Sequence, residues 1–127
     1  MYDRIVSAIL LIVGVVNVIP LIAFFDIRQT LRLYGLTVEG EDLVLLTRHR
    51  GVLLAIVGIA LIAAAFRPEL RLLAISLALL SKIAFLFLAL SIPNHTIEIR
   101  QVALIDVAAV VLLLIAGGVH MWAPQSR

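Results

Sequence analysis

Four long apolar stretches occupy most of this chain: Ile5–Phe25, Gly51–Phe66, Leu72–Ile92 and Val102–Trp122. A helix that crosses the hydrocarbon core of a bilayer needs about 20 predominantly apolar residues, and three of the four reach that length unaided. The second is short unless the segment before it joins in, so the spans are read as 5–25, 48–66, 72–92 and 102–122. With 64% hydrophobic and 14% charged residues and a mean hydropathy of +1.21, the chain has too little polar surface to coat a water-soluble globule. Lipid offers no partners to backbone N–H and C=O groups, so each span is expected to be helical. The expected fold is all-α, an integral membrane four-helix up-down bundle forming a single domain over residues 1–127.

Residues that are absent or scattered narrow the chemistry. There is no cysteine, which removes disulfides, thiolate nucleophiles and cysteine-based metal or iron–sulfur sites. The formal charge of +2 is distributed over loops without a block of like charges, so no nucleic-acid partner is expected and phosphate contacts point to lipid head groups. The first apolar run, at about 21 residues, exceeds the 7–15 of a secretory signal core and lacks a small-residue cleavage site.

The loops read as follows. After Phe24-Phe25-Asp26, the residues Ile27, Leu31 and Tyr34 recur at helical spacing while Arg28 and Arg32 share another face. One helix is therefore expected to continue through 26–34 and to end at Gly35, which can adopt the left-handed conformation of a helix C-terminus. Glu41 and Asp42 suit the first turn of the next helix, whose extension over 41–47 leads straight into the second span. Arg67-Pro68 ends that span, and the short connection to Arg71 makes spans two and three antiparallel neighbours. Ser91–Thr96 turns spans three and four. Small residues at Gly14, Gly51, Ala55, Ala60 and Ala64 fit close helix packing.

An even number of spans puts both termini and the Arg67–Arg71 turn on one side. Four arginines lie there (Arg4, Arg67, Arg71, Arg127) against five on the other (Arg28, Arg32, Arg48, Arg50, Arg100), so the positive-inside rule barely discriminates. The compact turn, with two arginines close to the membrane, favours cytoplasmic termini.

Polar and ionisable groups inside the spans are costly in hydrocarbon, and they mark where a site is sought: Asn17, Ser81, Lys82 and Asp106. With the fourth helix starting near Val102, Asp106 lies roughly 6–8 Å below its start at 1.5 Å per residue. Mirrored across the turn, it lies level with residues 84–86, slightly above Lys82. A direct pair then needs an extended lysine or a bridging water, and Arg48 or Arg50 is an equally good partner. Arg48 and Arg50 are about 200° apart on a helix, so they are not one clamp: anchoring at lipid phosphate, an anionic ligand and pairing with Asp106 all stay open. Asp26, His49, His95, Glu98 and Arg100 lie toward the same side and complete a polar mouth. His49, His95 and Glu98 come from separate segments and are read as loop residues or caps, not as metal ligands. Pro20 frees a backbone carbonyl one turn earlier, which Asn17 or a neighbouring helix could answer.

The strings Leu33-Tyr34-Gly35, Leu46-Thr47-Arg48-His49-Arg50-Gly51, Gly58, Ala65-Phe66-Arg67-Pro68 and the Asp106 of the last span resemble a family of uncharacterised small bacterial four-span proteins. That family is similar in layout to the DoxX-like membrane proteins. The resemblance implies a four-helix bundle in a bacterial inner membrane, with some relatives attached to quinone-linked redox systems. It points to Arg48, His49, Arg50 and Asp106 as site positions.

The preferred functional expectation is a protein that binds a lipid, quinone or other amphipathic small molecule through a polar mouth, with Asn17, Asp26, Arg48, His49, Arg50, Lys82, Glu98 and Asp106 as candidate contacts. Two alternatives stand beside it: an accessory subunit of a larger membrane complex, and an oligomeric small transporter using Lys82 and Asp106. Expected partners are membrane lipids, an amphipathic small molecule and a second copy or another membrane protein. No cofactor is expected. His49, Glu98 and Asp106 could serve acid–base chemistry, but no nucleophile, metal spacing or phosphate loop sets a reaction, so an enzyme is the weaker reading.

Overall fold

The computed structural model describes residues 1–124, and Arg127 of the charge count above lies outside the described residues. Six α-helices follow in order: α1 (Tyr2–Val18), α2 (Ile22–Phe25), α3 (Gln29–Tyr34), α4 (Glu41–Phe66), α5 (Arg71–Ser91) and α6 (Ile97–Trp122). Among the described residues there is no strand. Four helical segments are long and apolar enough to cross a membrane: Tyr2–Phe25, Glu41–Phe66, Pro68–Ser91 and Ile97–Trp122. They pack as an all-α four-helix bundle whose outer surface is apolar, with Phe87, Leu90 and Leu104 among many large side chains turned outward. That is the surface lipid solvates.

The first span is bent at its proline. Pro20 has no N–H to give Val16, and the backbone tightens into a 3-10 turn over Ile19–Leu21, in which Ile19 N–H donates to the Val16 carbonyl instead. The expected continuous helix through Tyr34 does not form. Asp26 is extended, at φ −142° and ψ 103°, and its carboxylate accepts from the Arg28 backbone N–H at 3.1 Å and from Arg28 Nε at 3.0 Å. An aspartate that captures the amide two residues on competes with the helix and breaks it. The apolar repeat of Ile27, Leu31 and Tyr34 persists, but only Gln29–Tyr34 is helical, and Gly35 ends it in the left-handed conformation at φ 65°.

The most extensive helix contact is α1 on α4, and glycine makes it. A methyl added to Gly58 would stand 2.6 Å from the Gly14 carbonyl oxygen and 2.7 Å from Val18 Cγ2; one added to Gly14 would stand 2.9 Å from the Gly58 oxygen. Two turns nearer the loops, Gly51 receives the Pro20 carbonyl of the bent segment, which a Cβ there would approach to 2.7 Å. In lipid such backbone approach replaces the hydrophobic drive that joins helices in water. Beside this pair, Leu10, Leu61, Leu113 and Ala78 fill a core drawn from all four spans.

At the terminal end, Arg71 is buried at 3% exposure, although it begins a helix. It donates to Asp3 Oδ1 at 2.7 Å and Ser7 Oγ at 3.1 Å, and its Nε reaches the Ala64 carbonyl at 3.4 Å. Ser7 in turn donates to the Ala65 carbonyl at 2.6 Å. The cation thus sits against the negative C-terminal end of α4, and Asp3 lies in the positive first turn of α1. Arg71 is consequently a structural clamp and not the free interfacial charge assumed in the orientation count.

Candidate functional site

The fourth span begins earlier than its apolar run. Thr96 caps it, its hydroxyl accepting from Ile99 N–H at 3.2 Å and donating to the Tyr34 carbonyl, so α6 starts at Ile97. This one boundary changes the depth of Asp106. Lys82 stands nine residues before the end of α5 at Ser91, and Asp106 nine residues after the start of α6 at Ile97, so the two are level. Both lie about 13 Å from the helix ends at 1.5 Å per residue, near the middle of a core about 30 Å thick.

There the Lys82 ammonium donates to Asp106 Oδ1 at 2.7 Å with no intervening water needed. It also donates to Asn17 Oδ1 at 2.8 Å, and Asn17 Nδ2 donates to the Leu54 carbonyl at 2.9 Å. One chain of hydrogen bonds therefore runs through α6, α5, α1 and α4. Asn17 and Lys82 are 6% and 5% exposed. Asn17 serves a neighbouring helix, while the carbonyl freed by Pro20 is answered by the backbone itself.

Arg50 is not the partner of Asp106. Its Nη1 donates to the Tyr34 hydroxyl at 2.6 Å, and its guanidinium lies 5.0 Å from the Tyr34 ring centre and 5.7 Å from that of Phe85. Two aromatic faces hold a cation in place through their quadrupoles. Arg48, about 200° around α4, does not pair with Asp106 either, and its Nε is buried without a hydrogen-bond partner.

Between these two polar levels lies a cavity of about 150 Å³. Asn17, Ser81, Lys82 and Asp106 line its deep side, Tyr34, Arg50 and Phe85 its outer side, and apolar groups such as Leu33 and Leu54 the walls. Ile19 and Ile105, half exposed on the outside of the bundle, border it where α1 and α6 face the bilayer. Ser81 makes no hydrogen bond among the described residues, so its hydroxyl is available to the cavity.

The remaining candidates fall outside the lining. Asp26 is engaged with Arg28, His49 is exposed, and Glu98 packs against Gly35. His95 is turned to backbone, with Nε2 3.1 Å from the Ala89 carbonyl. No group of three or more metal-ligating side chains gathers among the described residues. Sequence reasoning missed Tyr34 and Phe85 as cavity residues, because an aromatic in an apolar run carries no signal of its own; the spacing of Tyr34 one residue before a helix-ending glycine was the available hint.

A wider cleft of about 530 Å³ opens at the terminal end, bordered by Tyr2, Asp3, Glu69, Leu72 and His120. Its polar side chains are at least partly exposed, and Arg71 beneath Asp3 is already bonded to Asp3, Ser7 and Ala64, so it gathers no comparable set of buried polar groups.

Fold and site together define an integral membrane protein of four apolar helices with a partly enclosed, mostly apolar cavity that carries a few polar groups in one half of the bundle. Comparison with protein-family models, with curated proteins and with solved structures finds no match for this chain.

Proposed function

We propose that this chain binds the head of a lipid, quinone or other amphipathic small molecule in the cavity between Arg50 and Lys82. The observation that carries the reading is the combination of size and border. At about 150 Å³ the cavity takes a benzene-sized group and falls below the roughly 300–1,000 Å³ of sites that enclose a whole small molecule. A ligand seated there keeps its tail outside, and the Ile19–Ile105 border offers that tail an apolar path into the bilayer. Polar groups at two depths, in walls that are otherwise apolar, are what fixes orientation in a small-molecule site.

The test is native mass spectrometry on protein extracted from its membrane into lipid nanodiscs. One small molecule per chain, retained above bulk lipid and reduced in Arg50→Ala, supports the reading. A chain carrying only bulk lipid, in the same amount in both proteins, rejects it; a stoichiometric second polypeptide instead supports the accessory-subunit alternative. The same reading sets the chain in a bacterial inner membrane, as the resemblance to bacterial four-span proteins implies, with the termini assigned to the cytoplasm on the compact Arg67–Arg71 turn alone, since exposed Arg4 and Arg67 are outnumbered by Arg28, Arg32 and Arg100 at the other end. Reporter fusions at both ends check the orientation, and activity of an external reporter at both termini reverses it.

A further inference from the structure

The cavity lining carries a guanidinium, Arg50, with no acidic partner among the described residues, and we infer that the head group it takes is an acceptor: a carboxylate or a carbonyl-bearing ring, and not an amine. This rests on the amphipath-binding reading and specifies its ligand.

The inference follows from what each lining group has left after its internal bonds. Lys82 has three N–H donors and uses two, on Asn17 and Asp106. Asn17 uses one of its two amide hydrogens on Leu54. The Tyr34 hydroxyl oxygen accepts from Arg50, which leaves its own proton to donate. Arg50 has five N–H donors and spends one on Tyr34. Against these stand the unused lone pairs of Asp106, Asn17 Oδ1 and the Tyr34 hydroxyl, and Ser81, which can act either way, so hydrogen-bond capacity is available in both senses and charge decides between them. The Lys82 cation is matched by the Asp106 carboxylate, whereas Arg50 has no acidic partner among the described residues. The cavity therefore presents one net positive charge, on a planar fork suited to oxygen acceptors. A ligand ammonium brought here meets that charge and leaves the free N–H groups of Arg50 unanswered, which is costly in a site lined mostly by apolar groups.

Depth sets the shape. Arg50 lies one helical turn, about 6 Å of rise, from Leu54, the level at which Asn17 and Lys82 are held. A single aromatic ring spans that interval and fits the volume.

A series with one ring and one tail tests this: 4-octylbenzoate, 4-octylacetophenone, 4-octylbenzylamine and octylbenzene, equilibrated with protein in nanodiscs at neutral pH and counted against empty nanodiscs. The benzoate and the ketone are expected to be retained at least ten-fold more strongly than the benzylamine and octylbenzene. The benzoate, which alone matches the Arg50 charge, is expected to be retained more strongly than the ketone, to lose that advantage in Arg50→Gln and to keep most of it in Arg50→Lys. Retention of the benzylamine equal to or above that of the benzoate in the unmodified protein overturns the acceptor assignment while leaving a ligand site in place. Retention of none of the four above empty nanodiscs overturns the binding reading itself. Because the head-group order is read first on the unmodified chain, a variant that fails to fold does not blur either outcome.

Discussion

Lys82 and Asp106 meet at 2.7 Å in the middle of four apolar helices, each nine residues from its end of the same loop. A buried ion pair is poor evidence for stability in itself, since apolar residues of similar volume often serve as well, but removing one member strands the other. Lys82→Met is accordingly expected to destabilise the bundle by about 3–5 kcal/mol, and Lys82→Met with Asp106→Leu to recover much of that loss. Reversible denaturation in mixed micelles gives all the values of the cycle. Strictly additive losses would show that the two side chains are not energetically coupled.

Gly58 is where α1 and α4 come closest. Gly58→Ala places a methyl against the Gly14 carbonyl and Val18, neither of which is the free end of a long side chain, and a loss of about 1–3 kcal/mol is expected. Gly118 provides the control, since a Cβ there meets nothing within 4 Å. Gly118→Ala is expected to be neutral or to gain up to about 1 kcal/mol from helix propensity. Equal effects at both positions would remove the close contact as the explanation.

Thr96 both caps α6 and holds the Tyr34 carbonyl, so it fastens α3 over the cavity. Thr96→Val keeps the shape and removes the hydroxyl, at a cost of about 1 kcal/mol for the cap alone. Faster amide exchange over Gln29–Tyr34 is expected in that variant, with Thr96→Ser restoring protection. Protection unchanged in the valine variant means that apolar packing alone holds α3 down.

Outside the membrane, the Arg28 side-chain hydrogen bond, joined by the Arg28 backbone N–H, holds the Asp26 carboxyl below its ordinary value of 3.8. A lowered native value means the contribution of Asp26 is complete above the ordinary value and is lost as pH falls through the lowered one. Carboxyl carbon NMR is expected to place the Asp26 midpoint below 3.8, and Arg28→Gln to move it back up. A midpoint unaffected by that substitution leaves the Arg28 backbone N–H and the Gln29 side chain as its causes.

How far the sequence led depends on the kind of signal each feature carries. Apolar length identifies the four spans and the bundle, because lipid imposes helix on any such run. Asn17, Lys82 and Asp106 stand out because an ionisable group in hydrocarbon has few explanations. Their direct meeting was obscured by one boundary: hydropathy begins the fourth span at Val102, whereas Thr96 as a cap starts the helix at Ile97. The break at Asp26 follows from a side chain bonding two residues along, which competes with the apolar repeat read there as helix. Arg71 looked like a surface charge beside a proline turn, and only the three-dimensional convergence of Asp3, Ser7 and Ala64 shows it to be interior. The cavity itself is a property of packing, so Tyr34 and Phe85 gained their significance only from the folded chain.

The hydrogen-bond chain from Leu54 through Asn17 and Lys82 to Asp106 also imposes an order on biogenesis. The residues emerge from synthesis in sequence, so the acceptors of α1 and α4 are in the membrane first, the lysine arrives next, and its carboxylate comes last. Until α6 is in place, Lys82 has Asn17 but no carboxylate on this hydrogen-bond chain. A polypeptide stopped before Asp106 lacks that carboxylate permanently, and it is expected to be shorter-lived in the membrane than the same truncation carrying Lys82→Met; equal pulse-chase lifetimes would show that the unpaired lysine is not what marks an unfinished copy.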